Sequence, residues 1–176
     1  MRIVAGRLKG RRLTAPPGDA VRPTSDSLRE TLFNVLADRV DGARVLDAFA
    51  GTGALGLEAL SRGAAHATFI ERDRRVIRVL RENVARCGAE DACTIIGADF
   101  TTVDEPAAFD LVLLDPPYGT DDVTTVLERA AKFVASEGRL VLEHSRRRDS
   151  PSAVGTFRRY RVLQAGDSAL SFYSTP

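Results

Sequence analysis

The segment that most restricts the fold is Asp47-Ala48-Phe49-Ala50-Gly51-Thr52-Gly53-Ala54-Leu55-Gly56. A short apolar run, residues 44–49, leads into it, and an apolar run with helical spacing, residues 54–61, leaves it. A strand that turns through closely spaced glycines into a helix opens a parallel βαβ unit. The glycines reach conformations other residues avoid and let a ligand approach the main chain. The chain then keeps alternating. Strands are predicted over 67–71, 94–96, 110–114 and 139–143, with helices over 74–87 and 123–135. The helix over 74–87 ends at Gly88, a natural stop. Such alternation implies a mostly parallel sheet covered on both faces. The tail changes period: strands over 158–164 and 169–173 flank Ala165-Gly166-Asp167-Ser168, a closing antiparallel hairpin.

Ahead of the first strand the pattern differs. Residues 3–13 alternate apolar and basic side chains around Gly6 and Gly10, which reads as a hairpin with one basic face. Ala15-Pro16-Pro17-Gly18-Asp19 breaks the chain, and a helix is predicted over 26–37, with Ser27 and Glu30 at capping-box spacing. The chain of 176 residues divides into an extension, residues 1–20, and one main domain, residues 21–176.

The net charge is only +1, but its distribution is uneven. Arg2, Arg7, Lys9, Arg11, Arg12, Arg22 and Arg29 crowd the opening against Asp19, Asp26 and Glu30, and Arg146-Arg147-Arg148 forms a second run. Local basic patches of this kind can hold phosphates on a protein that is neutral overall. Cys87 and Cys93 are too few for a disulfide framework, and with His66 and His144 they lack zinc-site spacing, so no metal is expected. Neither a leader pattern nor a membrane-length apolar run is visible, so a cytoplasmic monomer without membrane partners is expected.

The glycine spacing alone admits two cofactor classes. Gly51, Gly53 and Gly56 satisfy the dinucleotide pattern, and Glu71 stands where a ribose-binding acid belongs in either class. Asp47 discriminates: a carboxylate beside the turn suits a cationic ligand such as S-adenosylmethionine and repels a pyrophosphate. An ordinary strand-end cap of the turn also explains it. Asp99-Phe100 follows the third strand, where a carboxylate can accept an adenine amine beside a flat apolar neighbour, although a helix cap explains Asp99 too.

Asp115-Pro116-Pro117-Tyr118 follows the fourth strand and therefore reaches the same sheet edge. An aryl amine is a poor nucleophile because its lone pair is delocalised into the ring. Two acceptors, the Asp115 carboxylate and a carbonyl held outward by the prolines, can bind both amine protons and aim that lone pair at a methyl donor. Tyr118 offers a ring on which a flipped base can stack. Carbon methylation needs a cysteine near a proline, and neither Cys87 nor Cys93 qualifies.

These segments resemble the RsmD family of bacterial 16S ribosomal RNA guanine-N2 methyltransferases. The resemblance runs from the basic opening at Ala5-Gly6-Arg7 through Arg22-Pro23-Thr24-Ser25-Asp26 and Arg29-Glu30-Thr31-Leu32-Phe33-Asn34. It continues over residues 47–63, Glu71, Asp73 and Asp115 to Tyr118, ending at the Gly166-Asp167-Ser168 hairpin. It implies a Rossmann-like class I S-adenosylmethionine-dependent methyltransferase: a mostly parallel seven-stranded sheet with an antiparallel C-terminal hairpin and an N-terminal β-hairpin extension. Cofactor contacts are then expected from Arg22, Pro23, Thr24, Asp47, Phe49, Gly51, Gly53, Glu71, Arg72, Asp99 and Phe100. The target base falls to Asp115, Pro116, Pro117 and Tyr118. Arg7, Lys9, Arg11, Arg12, Arg146 and Arg147 are expected on the RNA, a loop of 16S rRNA in the small ribosomal subunit or its assembly intermediate. Three rivals stay open: an adenine-N6 or cytosine-N4 DNA methyltransferase, a dehydrogenase, and a non-catalytic RNA-binding or assembly factor.

Overall fold

A computed structural model describes residues 1–16, 25–104, 108–117 and 122–176. Among the described residues eight strands form one sheet: β1 (Arg44–Asp47), β2 (His66–Glu71), β3 (Cys93–Gly97), β4 (Phe109–Leu114), β5 (Val134–Ser145), β6 (Ala153–Val154), β7 (Phe157–Ala165) and β8 (Ser168–Ser174). Their order is β3-β2-β1-β4-β5-β8-β7-β6. β3, β2, β1, β4 and β5 are parallel; β8 enters antiparallel between β5 and β7. The expected seven strands are all present, and β6, two residues long, pairs with β7 as an eighth.

Alternate residues of each strand feed opposite layers, as the two-residue period of a strand requires. Val45, Phe69, Leu111 and Leu113 face α1 (Asp26–Leu36), α2 (Ala54–Ser61) and α3 (Arg74–Cys87). Leu46, Ile70, Val112 and Leu114 face α4 (Val123–Ala131) and the turn at Phe100. Since β2 and β3 lie on one side of β1 and β4 and β5 on the other, the order reverses between β1 and β4. That reversal opens a crevice at the carboxyl ends of β1 and β4, the usual ligand position in an open α/β sheet.

α2 and α3 have the predicted ends. Four other elements differ by more than one residue at an end or in their cap. Helix α1 is capped by Ser25, whose hydroxyl accepts from the Leu28 N–H at 3.1 Å, rather than by Ser27. Strand β1 stops at Asp47, where the glycine turn begins, not at residue 49. The helix predicted over 123–135 ends at Ala131, and β5 starts at Val134 rather than at residue 139. Here Phe133 and Val134 pair with Phe109, and the register then slips so that Leu111 faces Arg139. Gly138 makes that slip possible, because a Cβ there would lie 2.9 Å from the Phe109 carbonyl oxygen.

The basic opening is a turn-rich hairpin held by one bridge, Arg2 to Arg12, with Gly6 and Gly10 at φ 78° and 84°. It is built into the core. All eight residues of α2 are buried, and a helix apolar on every side must be covered on every side. Ile3, Leu8 and Leu13 supply that cover. Glu58 of α2 accepts from the Val4 and Ala5 N–H groups at 2.7 and 3.0 Å, and a Cβ on Gly6 would strike the Ser61 carbonyl oxygen. Arg29, counted above with the basic opening, is buried under the hairpin. It donates to the Arg2 carbonyl at 2.6 Å and to Asp26 at 2.7 Å, so it is no phosphate contact. The expected division near residue 20 lies outside the described residues.

Candidate active site

Gly51 and Gly53 take φ values of 53° and 81°, the left-handed region that glycine alone adopts without strain. Close packing adds a second constraint. A Cβ on Gly53 would lie 2.4 Å from the Leu80 side chain of α3, and one on Gly56 2.3 Å from the Phe69 ring of β2. The loop is thus wedged between the sheet and two helices at the crevice.

Asp47 ends β1 beneath this loop and is buried. Its Oδ2 accepts from the Gly56 N–H at 3.0 Å, so the capping role is real. Its Oδ1 is also buried and has no hydrogen-bond partner among the described residues. Burial drives the carboxyl up to about 7; the Gly56 bond opposes the rise and the charge of Glu71 adds to it. A buried, orphaned acceptor beside a ligand crevice is what a cationic group would satisfy. The residues therefore fit S-adenosylmethionine better than a pyrophosphate cofactor.

Glu71 ends β2 and bridges the site, accepting from the Gly51 N–H at 3.1 Å and from the Asp73 N–H at 2.8 Å. Each carboxylate oxygen keeps capacity for a further donor such as a ribose hydroxyl. Asp99 accepts from the Thr101 N–H and hydroxyl at 2.9 and 2.7 Å and pairs with Arg72 at 3.0 Å. The Thr101 bonds and then the Arg72 guanidinium hold its carboxyl below the ordinary carboxylate range. Phe100 departs from the expectation of a flat neighbour open to a ligand. It is buried against Phe133 and Phe49, with ring centroids 5.8 and 5.4 Å away, and the half-buried Phe49 is the ring nearer the surface.

Asp115 stands one residue beyond β4, partly exposed, with Pro116 buried and Pro117 exposed after it. Asp47 pairs with Leu113 in the β1–β4 register, so Asp115 and the glycine loop leave adjacent strands at the same edge. Tyr118, Arg22, Pro23 and Thr24 lie outside the described residues.

Arg7, Lys9, Arg11 and Arg12 are exposed on the hairpin, and Arg146 and Arg147 on the turn after β5. β4 and β5 are parallel neighbours, so this second basic run rises from the edge that carries Asp115. His144 of β5 clamps the turn. Its Nδ1 lies 3.0 Å from the carbonyls of both Ser145 and Arg148, two acceptors that require a proton on that nitrogen. In the neutral ring Nε2 then accepts from Ser171 at 2.9 Å; Ser171 pairs with Ser150 at 2.7 Å, and Arg159 donates to Ser150 at 2.8 Å.

Glu58 and Asn83 are among the buried polar residues that the sequence reading does not single out. Asn83 of α3 donates to the carbonyls of Thr52 and Thr14, each at 2.9 Å, and accepts from the Thr14 N–H at 2.8 Å. It joins the cofactor loop to the N-terminal segment. A polar side chain on the face shared by Leu80, Val84 and Cys87 was the available signal. Asn83→Ala is expected to lower stability by about 2–3 kcal/mol through the groups it leaves unpaired. Chemical denaturation checks this: a shift below about 0.5 kcal/mol contradicts the bridging role.

The matches to known proteins agree with this geometry. The family model described as conserved hypothetical protein 95 covers residues 1–174. A ribosomal RNA small subunit methyltransferase D from Escherichia coli is 37% identical over 176 residues, spanning 98% of this chain and 89% of that one. The chain belongs to the RsmD family. A relative from Bacillus subtilis, the putative rRNA methyltransferase YlbH, is 33% identical over 98% of both chains. Among solved structures, a putative methyltransferase from Escherichia coli superposes with a TM-score of 0.88 at 35% identity, over 99% of this chain and 97% of that one.

Proposed function

We propose that this protein transfers a methyl group from S-adenosylmethionine to the exocyclic N2 of a guanine in 16S rRNA, within the small ribosomal subunit or its assembly intermediate. Its membership of the RsmD family carries the coarser statement, a methyltransferase acting on ribosomal RNA. Asp115-Pro116-Pro117 at the end of β4, at the same sheet edge as a buried carboxylate with an unfilled acceptor, supports methylation of an exocyclic base amine; the choice of guanine N2 rests on the family resemblance.

In this reading Asp47, Phe49, Gly51, Gly53, Glu71, Arg72 and Asp99 surround the cofactor, with Arg22, Pro23 and Thr24 closing over it. Phe100 supports Phe49 from below. When bound, the cofactor supplies an electrophilic methyl on a sulfonium sulfur. The Asp115 carboxylate and a carbonyl of the proline pair accept the two amine protons, which draws the nitrogen lone pair out of the ring. The amine proton released on methylation would pass to the Asp115 carboxylate or to solvent. Stacking on Tyr118 holds the base in line. Orientation supplies the acceleration, so no covalent enzyme intermediate is needed. Residues 1–20 are the RNA-facing extension of a catalytic domain over residues 21–176, and the protein works as a monomer in the cytoplasm. Among the described residues, no helix is long and apolar enough to cross a membrane.

Calorimetry tests the cofactor assignment. S-adenosylmethionine is expected to bind the wild type. Glu71→Ala is expected to lose about 1.5–3 kcal/mol of that affinity, the range for bonds to a charged acceptor. Tight NADH binding without S-adenosylmethionine binding contradicts the reading.

A further inference from the structure

The outward side of α3 is strongly basic. Arg74, Arg75, Arg78, Arg81 and Arg86 are exposed there against one exposed acid, Glu82. Arg74, Arg78 and Arg81 recur at i, i+4 and i+7 and so stand in one line, about 6 Å and then about 4.5 Å apart along the axis. Like charges at these spacings weaken a helix, and acids at the same spacings would relieve them. Among the described residues no carboxylate lies within ion-pair distance of Arg74, Arg75, Arg78 or Arg81. The inward side of α3 is spent on the core through Val76, Ile77, Leu80, Val84 and Cys87, so the charge is not needed for packing.

A second observation gives the row a context. The Arg11 guanidinium donates to the Arg86 carbonyl, and Arg86 donates to the Thr14 hydroxyl at 2.8 Å. The hairpin with Arg7, Lys9 and Arg12 therefore adjoins the C-terminal end of α3. At its other end α3 starts from Asp73, two residues after Glu71. One basic surface thus runs from the cofactor edge to the hairpin in a chain whose net charge is only +1.

We propose that the row Arg74, Arg78 and Arg81 is a second backbone contact for the substrate RNA, gripping successive phosphates beside the hairpin. This rests on the ribosomal RNA reading above. The spacing suits neighbouring phosphates of one strand, and the planar guanidinium forks can bind phosphate oxygens two at a time. Such contacts carry no sequence information. They fix the register of the RNA so that the correct base reaches Asp115.

The test compares the wild type, the hairpin variant with Arg7, Lys9, Arg11 and Arg12 changed to alanine, and a triple variant, Arg74→Gln, Arg78→Gln and Arg81→Gln. Binding to 16S RNA is measured across a salt titration, and methylation kinetics on small subunits. The triple variant is expected to reduce the slope of log affinity against log salt by about 2, three phosphate contacts on a single strand. It should raise KM for the particles at unchanged kcat and leave S-adenosylmethionine affinity alone, with a melting temperature at or above that of the wild type. Restoring charge with lysine at the three positions should recover the slope. A triple variant with wild-type slope and KM overturns the proposal, as does one that loses only particle binding, since the row would then touch a ribosomal protein. A wild type that binds no RNA fails the functional reading itself, before any variant is compared.

Discussion

Asp115→Ala is expected to lower the methylation rate by two or more orders of magnitude while leaving cofactor affinity nearly intact. The carboxylate stands beyond β4, on the far side of the crevice from Glu71, so its removal does not disturb the bonds that Glu71 makes to Gly51 and Asp73. What disappears is the acceptor that draws an amine proton and turns the nitrogen lone pair toward the methyl group. Positioning of this kind accounts for large factors in kcat and little in ground-state binding. Asp115→Asn, which keeps the size and loses the charge, should be intermediate. Single-turnover kinetics read the chemical step directly. A near wild-type rate for Asp115→Ala would assign the tetrad to structure.

The second large effect is on the pH dependence of cofactor binding. In the free protein the Asp47 carboxyl is driven up to about 7, first by burial. Below that pH it holds a proton, which a cationic ligand must displace. Association is therefore expected to release a proton, and affinity should climb roughly tenfold per pH unit from 5 toward 7 and then level. The same shift has a stability consequence of opposite sense. A native carboxyl raised above its unfolded value of 3.8 binds more protons folded than unfolded, so its contribution is fully present below about 4. It is lost as pH rises through 7. Asp47→Asn should flatten both profiles and weaken cofactor binding. Calorimetry in buffers of different ionisation heat counts the proton; pH-independent affinity between 5 and 7 contradicts the role given to Oδ1.

Local signals made some parts of this molecule readable and others not. The ends of α2 and α3 are marked by residues whose effect is local: glycines at φ 81° and 60° and the Asp73 cap, which accepts from the Arg75 N–H at 2.7 Å. The start of β5 is not legible locally, because its first residues pair with Phe109 across a slipped register, and that pairing depends on a strand distant in sequence. The burial of Phe100 follows from Phe133 and Phe49 folding over it. Asp47 shows the limit of motif reading most plainly. The sequence offers cap and ligand acceptor as alternatives, whereas one oxygen caps Gly56 and the other stays unpaired among the described residues. The same holds for the hairpin, whose basic residues were visible while its apolar side, closing over α2 through Glu58, was not.

The central claim is a chemical identity, methylation of a guanine amine in small-subunit RNA, and the modified nucleoside reports it directly. Small subunits lacking the modification and, in a parallel reaction, DNA are incubated with the protein and labelled S-adenosylmethionine, and the nucleic acid of each is digested and resolved by mass spectrometry. The expected result is label in N2-methylguanosine at a single position, absent when Asp115→Ala replaces the wild type. Label in N6-methyladenine or N4-methylcytosine of DNA, with the small-subunit RNA left unmodified, would contradict it.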